Sequence, residues 1–199
     1  MKDCLICNKT TWSKIFDIND IFDERYNFGY CNSCQVYSLN PFPDSKQLAQ
    51  AYDESYYGFG DKKFNPSVEK IVNWFRSRNA KQFAKNLPIR ATILDVGCGN
   101  GSFLESLGKQ GEFKLHGIEP SGKSGDRAAS IASLDLHRGF LNSTTYPNSY
   151  FDAILLTHVF EHLPNPMEAL EIITNISKTE GVLQIEIPNT DSLQYRLFK

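Results

Sequence analysis

Beyond residue 90 the chain alternates short apolar runs with amphipathic stretches of helix length. Residues 92–97 form an apolar run ending in glycine, and 102–109 carries Phe103, Leu104 and Leu107 on one helical face. Residues 113–119 read as a second strand, 124–132 as a helix, 134–137 as a short third strand and 151–156 as a fourth. A helix over 166–177 and a fifth strand over 181–187 complete the series. Alternating strands and helices of this length predict an α/β, doubly wound parallel sheet. Upstream, 66–87 reads as a helix: Val68, Ile71, Val72, Phe75, Phe83 and Leu87 recur close to a 3.6-residue period, Pro66 suits a first turn, and Pro88 ends the pattern. A shorter helical pattern runs over 45–52.

The first 45 residues follow a different logic. Cys4-x-x-Cys7 and Cys31-x-x-Cys34 are separated by 23 residues, and Trp12–Ile18 and Tyr26–Tyr30 between them are β-prone, as a hairpin requires. Two such knuckles bring four thiolates to the corners of a tetrahedron, which predicts a structural Zn²⁺ in a small zinc-ribbon-like module. With four cysteine ligands no position stays open for metal catalysis, so the ion replaces a core that about 40 residues cannot build. Redox-active or unmetallated core thiols are the alternative. Residues 1–60 hold five Lys/Arg against eight Asp/Glu, and the whole chain has a formal charge of −2. Neither value suits a nucleic-acid partner. The longest apolar run, near Ala153–Leu156, is far short of the roughly 20 residues of a membrane span. No membrane insertion and a cytoplasmic, reducing location are expected.

Candidate domains are therefore a zinc-binding module (1–45), an aromatic and helical connector (46–90), and the α/β domain (91–199). The connector holds Tyr52, Tyr56, Tyr57, Phe59 and Phe64, broken by Gly58 and Gly60. These rings suit packing between modules, or a segment facing a ligand.

Ligands of such sheets lie at the carboxyl ends of the strands. Gly97, Gly99 and Gly101 permit a tight turn there, with Cys98 a small side chain between two of them. Asp95 precedes the turn by two residues, and Glu119 ends the second strand. A carboxylate at that strand end can accept both ribose hydroxyls, whereas an acid beside the turn suits a cationic amine and repels a pyrophosphate. The pair points to an amino-acid-bearing nucleoside rather than a dinucleotide.

The blocks Leu94–Phe103, Gly117–Ser121, Phe151–Ile154 and Val159–Pro164, in that order, resemble class I S-adenosylmethionine-dependent methyltransferases, whose domain is Rossmann-like. With the paired knuckles, Asn40-Pro-Phe-Pro43 and 52–57, the chain looks like bacterial methyltransferases with an N-terminal zinc-binding region, among them enzymes acting on sugars and surface polysaccharides. The resemblance implies S-adenosylmethionine as cofactor and a small-molecule acceptor, such as a sugar nucleotide or polysaccharide precursor. By position, Asp95 and the backbone of Gly97, Cys98, Gly99 and Gly101 would hold the methionine part and Glu119 the ribose, with Pro120 beside it. Phe140 and Leu141 would flank the adenine. The family often places Asp where this chain has Gly139-Phe140-Leu141, so backbone groups or Asn142 would recognise the base. The resemblance further implies two strands after the fifth. The sequence stops at Lys199 without them, so a C-terminal truncation is expected, with a homo-oligomer or a missing segment covering the fifth strand's edge.

Methyl transfer needs a proton removed from the acceptor. His158, Glu161 and His162 follow the fourth strand, where acceptor and cofactor should meet; His162 is the candidate base, Glu161 its orienting partner, and His158 lies nearer the cofactor. Glu161 and His162 could instead satisfy the loop and helix near Pro164. His116 and His137 are expected to be structural. Two rival classes remain: a zinc-stabilised adaptor without activity, and a nucleotide triphosphatase suggested by Gly117–Ser124, which matches GxxxxGK[ST]. The latter fails on placement, since Gly117 falls inside a strand and Glu119 would face the phosphates.

Overall fold

A computed structural model describes residues 4–20, 22–44, 46–48, 66–120, 122–189 and 192, apart from the side chains of 66 and 67. The tyrosine-rich run, including Tyr52, Tyr56, Tyr57, Phe59 and Phe64, lies outside the described residues. The chain divides into two compact units, residues 1–53 with 163–170 and residues 54–162 with 171–199.

In the first unit β1 (Trp12–Asn19) pairs antiparallel with β2 (Arg25–Cys31), as the alternating pattern predicts. A third strand, β3 (Tyr37–Asn40), adds to the free side of β2. It follows from the second knuckle: Gln35 adopts a left-handed conformation (φ 59°), and its N–H returns to the Cys31 carbonyl at 2.7 Å, turning the chain back along β2. Trp12 lies over Gly29, where an added Cβ would come within 2.4 Å of the indole.

The second unit is a five-stranded parallel sheet in the order β6-β5-β4-β7-β8. Its strands are β4 (Thr92–Val96), β5 (Lys114–Glu119), β6 (Leu134–Arg138), β7 (Phe151–Thr157) and β8 (Ser177–Glu186). Its helices are α1 (Pro66–Ala84), α2 (Ser102–Gly108) and α3 (Lys123–Ala129), and α4 (Pro166–Ile176) belongs to it from residue 171 on. Strand order reverses at β4, which places the switch point between β4 and β7. All five residues of β4 are buried, as a central strand covered on both faces requires. On one side Ile93, Leu115, Ala153 and Leu155 join Ala80, Leu104, Leu107 and Ala128 in a single core. The apolar stripe read over 66–87 divides, and the helix ends at Ala84: Phe83 in α1 and Leu87 beyond it pack on that core, whereas Val68, Ile71 and Phe75 stand exposed.

The fifth strand begins earlier than its apolar pattern suggests. Ser177 pairs with Phe151 directly after α4, and Ala153 then pairs with Val182, so residues 178–181 bulge opposite Asp152 alone. Lys178 Nζ bonds both Asp152 oxygens at 2.9 and 2.8 Å, and Asp152 also accepts the Thr92 N–H at 2.8 Å. Burial pushes this carboxyl up, but Lys178 and the amide outweigh it and hold it below its ordinary value. Gly117 sits inside β5, which removes the phosphate-loop geometry its local sequence imitates.

Candidate functional site

The glycine turn after β4 is stitched to β5: the N–H groups of Gly97 and Cys98 both donate to the Ile118 carbonyl, at 2.7 and 3.0 Å. Gly97, Gly99 and Gly101 all have positive φ (73°, 56° and 73°). At Gly97 space also matters, because a Cβ would meet Val159 Cγ2 at 2.4 Å; at Gly99 nothing lies within 4 Å, so only its backbone conformation calls for glycine. The Gly99 N–H donates to Glu119 Oε2 at 2.9 Å, which ties the turn to the end of β5.

Two carboxyls are buried here, Asp95 (5% exposed) and Glu119 (7%). Desolvation, and after it the charge of Glu119, pushes Asp95 up to about 7, and its Oδ1 is buried without a hydrogen-bond partner. Burial also raises Glu119, against the Gly99 amide. An orphaned buried carboxylate oxygen is costly unless a ligand supplies a donor, and a cationic amine supplies both donor and charge. The Cys98 thiol is pushed up to about 12 by burial and then by both carboxylates, so it stays protonated and inert.

A cleft of about 640 Å³ opens beside this turn. Asp95, Gly97, Cys98 and Gly99 line it, with Asn100, Ser102 and Phe103. Its other wall is one face of α1, contributing Val72, Arg76, Asn79, Gln82 and Phe83, with Asn86 just beyond the helix, while Thr157, Gln184 and Glu186 border it at the ends of β7 and β8. Glu119, Gly101, Pro120, Phe140 and Leu141 do not line this cleft. Glu119 joins it only through the Gly99 amide, and Phe140 is 75% exposed. Sequence reasoning missed Thr157 and Glu186, which the strand-end rule could have found, and the α1 wall, whose Asn and Gln residues carry no motif.

His158, Glu161 and His162 do come together. His158 adopts φ 56° and its N–H donates to the Glu186 carbonyl at 2.8 Å. Glu161 Oε1 stands 3.7 Å from His158 Nδ1 and 3.8 Å from His162 Nε2, while His158 Nε2 is 3.8 Å from Glu186 Oε1. These separations are too long for direct hydrogen bonds. The second Glu161 oxygen is buried without a partner. Burial lowers His162, against the raising effect of Glu161, so its imidazole is neutral at pH 7. Among the other histidines, His116 is buried beside Asp135 (3.0 Å), with Tyr146, Tyr150 and Phe151 edge-on around it.

In the first unit the four sulfurs of Cys4, Cys7, Cys31 and Cys34 lie within 4.8 Å of one another. The closest pairs, Cys4–Cys34 and Cys7–Cys31, are 3.5 Å apart. A tetrahedral zinc thiolate site needs edges of about 3.8 Å, so the spacing fits. The knuckles share one backbone pattern. The N–H of Asn8 returns to the Cys4 carbonyl as that of Gln35 does to Cys31, and both Asn8 and Gln35 have positive φ. The Cys34 and Ser33 amides and the Thr11 hydroxyl outweigh desolvation at Cys31 and lower its thiol to about 6, whereas burial and the neighbouring thiols outweigh the Val36 amide and push Cys34 up to about 12.

A parallel sheet with a glycine turn, two buried acids and a cleft at its carboxyl edge defines an α/β nucleoside-cofactor domain. The methyltransferase-domain family matches residues 71–199, and the chain belongs to it as a class I S-adenosylmethionine-dependent methyltransferase domain. Among curated proteins it is 31% identical over 153 residues to the mitochondrial ubiquinone biosynthesis O-methyltransferase of Dictyostelium discoideum, covering 67% of this chain and 47% of that protein. It is 27% identical to the ubiquinone biosynthesis O-methyltransferase of Neisseria meningitidis, covering 68% of each. The chain thus spans from about half to two thirds of the length of these relatives. The plantazolicin methyltransferase BpumL, solved with a monoazolic desmethylPZN analogue and SAH, shares the fold at a TM-score of 0.55 and 24% identity, over 78% of this chain and 57% of that one.

Proposed function

We propose that the chain transfers a methyl group from S-adenosylmethionine to a hydroxyl of a small-molecule acceptor in the cleft beside Asp95. The carrying observation is the orphaned, fully buried Asp95 oxygen at the lip of the glycine turn. Asp95 holds the cationic amine of the methionine part, the Gly97–Gly101 backbone gives close approach, and Glu119 accepts the ribose hydroxyls with the oxygen that Gly99 leaves free. Pro120, Phe140 and Leu141 border the adenine. The cofactor supplies a methyl carried on a sulfonium, so positioning provides much of the rate.

His162, neutral at pH 7, takes the acceptor proton, and Glu161 stabilises the imidazolium that results. His158, held between Glu161 and Glu186, orients the cleft side of this cluster. In the N-terminal unit Cys4, Cys7, Cys31 and Cys34 hold a structural Zn²⁺; the matched spacing and paired backbone pattern support this reading.

Relatives named for ubiquinone biosynthesis O-methylation favour a phenolic hydroxyl as acceptor. A sugar nucleotide is the second reading, favoured by the amides of Asn79, Gln82, Asn86 and Gln184 on the cleft walls, which suit a polyhydroxylated molecule. Incubation with methyl-labelled S-adenosylmethionine and either a catechol or a panel of sugar nucleotides decides between them. Label is expected on the catechol; label on a sugar nucleotide installs the second reading, and label on neither removes both.

A further inference from the structure

Among the described residues, the outer face of α1 takes no part in the core. Val68, Ile71 and Phe75 follow helical spacing along one face, with Trp74 beside them, and Ile71, Trp74 and Phe75 are 56%, 57% and 53% exposed. Trp74 and Phe75 meet edge-on at 4.8 Å, and the Arg78 guanidinium lies 5.6 Å over the indole. The helix carries Lys70, Arg76, Arg78 and Lys81 against Glu69 alone, a net charge of +3 on a chain whose total is −2. Lys70 and Lys81 flank the apolar stripe on the side away from the cleft. Asn79 and Gln82, one turn beyond Phe75 and Arg78, already line the cleft. The apolar stripe therefore runs along the rim of the candidate site.

We propose that this face of α1 docks on an anionic lipid bilayer, with Trp74 and Phe75 at headgroup depth and Lys70, Arg78 and Lys81 on the lipid phosphates. An exposed aromatic patch rimmed by cations is what an interfacial helix presents. Local charge selects the occupant: an anionic surface complements the cations, whereas the same face of a second copy would set them against each other. Docking in this orientation brings the cleft mouth to the bilayer surface, so an acceptor with a lipid tail need not leave the membrane. The proposal goes beyond the methyl-transfer reading, and vesicle binding tests it without turnover.

The chain has tryptophan only at 12 and 74, so Trp12→Phe leaves Trp74 as the sole indole reporter. With vesicles of phosphatidylcholine and phosphatidylglycerol, its emission should shift to the blue and be quenched by brominated lipid, and pure phosphatidylcholine should do so far more weakly. Co-sedimentation of the unaltered chain guards against a folding effect of the Trp12 change. The charge reversal Lys70→Glu/Arg78→Glu/Lys81→Glu should weaken vesicle binding by roughly tenfold or more while leaving S-adenosylhomocysteine binding intact. Unchanged Trp74 emission with anionic vesicles, or equal sedimentation of the reversed variant, would overturn the proposal. So would a dimer in light scattering that Phe75→Glu converts to monomer.

Discussion

Asp95 is the residue on which burial and chemistry conflict most. Its carboxyl titrates at about 7 in the fold, against roughly 3.9 in an unfolded chain. Because the folded value is the higher, its stabilising contribution is whole below about pH 4 and is lost as pH rises through about 7. Ligand-free Asp95→Asn should therefore match the parent near pH 4 and exceed it at pH 8, by on the order of 2–4 kcal/mol, in thermal denaturation across that range. The same carboxylate should bind a cationic amine better as pH rises past 7. His162 makes a second residue-scale prediction. His162→Ala should lower kcat by about 10²–10⁴-fold while S-adenosylhomocysteine affinity is kept. The acid limb of the kcat profile should lie below the ordinary histidine value, because burial lowers this group. Glu161→Gln removes the charge that opposes burial and should move the limb lower still. A limb that stays in place would remove Glu161 as the partner.

At the scale of elements, the turn after β4 separates two demands that one motif conceals. Gly97 meets both a positive φ and the Val159 side chain, whereas Gly99 meets only the φ. Gly97→Ala should cost about 2–4 kcal/mol in urea denaturation, combining backbone strain with overpacking, and Gly99→Ala about 1 kcal/mol. Equal costs would mean that Val159 yields freely. The turn was legible in the sequence because its chemistry is local: glycines, a preceding acid, and strands short enough to bound it. The start of β8 was not legible. Ser177 joins the sheet through pairing with Phe151 and the Lys178–Asp152 contact, and both partners are distant in sequence. β3 escaped for the same reason, since its four residues gain strand geometry only from β2. The α1 wall was hidden differently. Asn79, Gln82 and Asn86 read as an ordinary wet helix face until the cleft appears beside them.

At the scale of the molecule, two units solve two stability problems. The parallel sheet buries Ile93, Leu94, Ile154, Leu155 and Leu156 almost completely and holds itself together by packing. The three-stranded unit leaves Ile15, Phe16, Ile18 and Tyr37 exposed, and four converging thiols take the place of a larger core. Metal analysis should find one zinc per chain. A strong chelator should melt the N-terminal unit and leave the nucleoside site able to bind, and metal-free protein with an unchanged N-terminal unit would contradict the zinc assignment. No helix among the described residues is long and apolar enough to cross a membrane.

The account depends above all on the cleft beside Asp95, tied to Glu119 through the Gly99 amide, holding a nucleoside with a charged amine. Isothermal titration of S-adenosylhomocysteine into the parent chain and into Asp95→Ala tests this most directly. Micromolar binding at one site per chain, weakened by about tenfold or more in the variant, is the result expected when a charged hydrogen bond is lost. No heat from the parent, or equal affinity in both proteins, would contradict it.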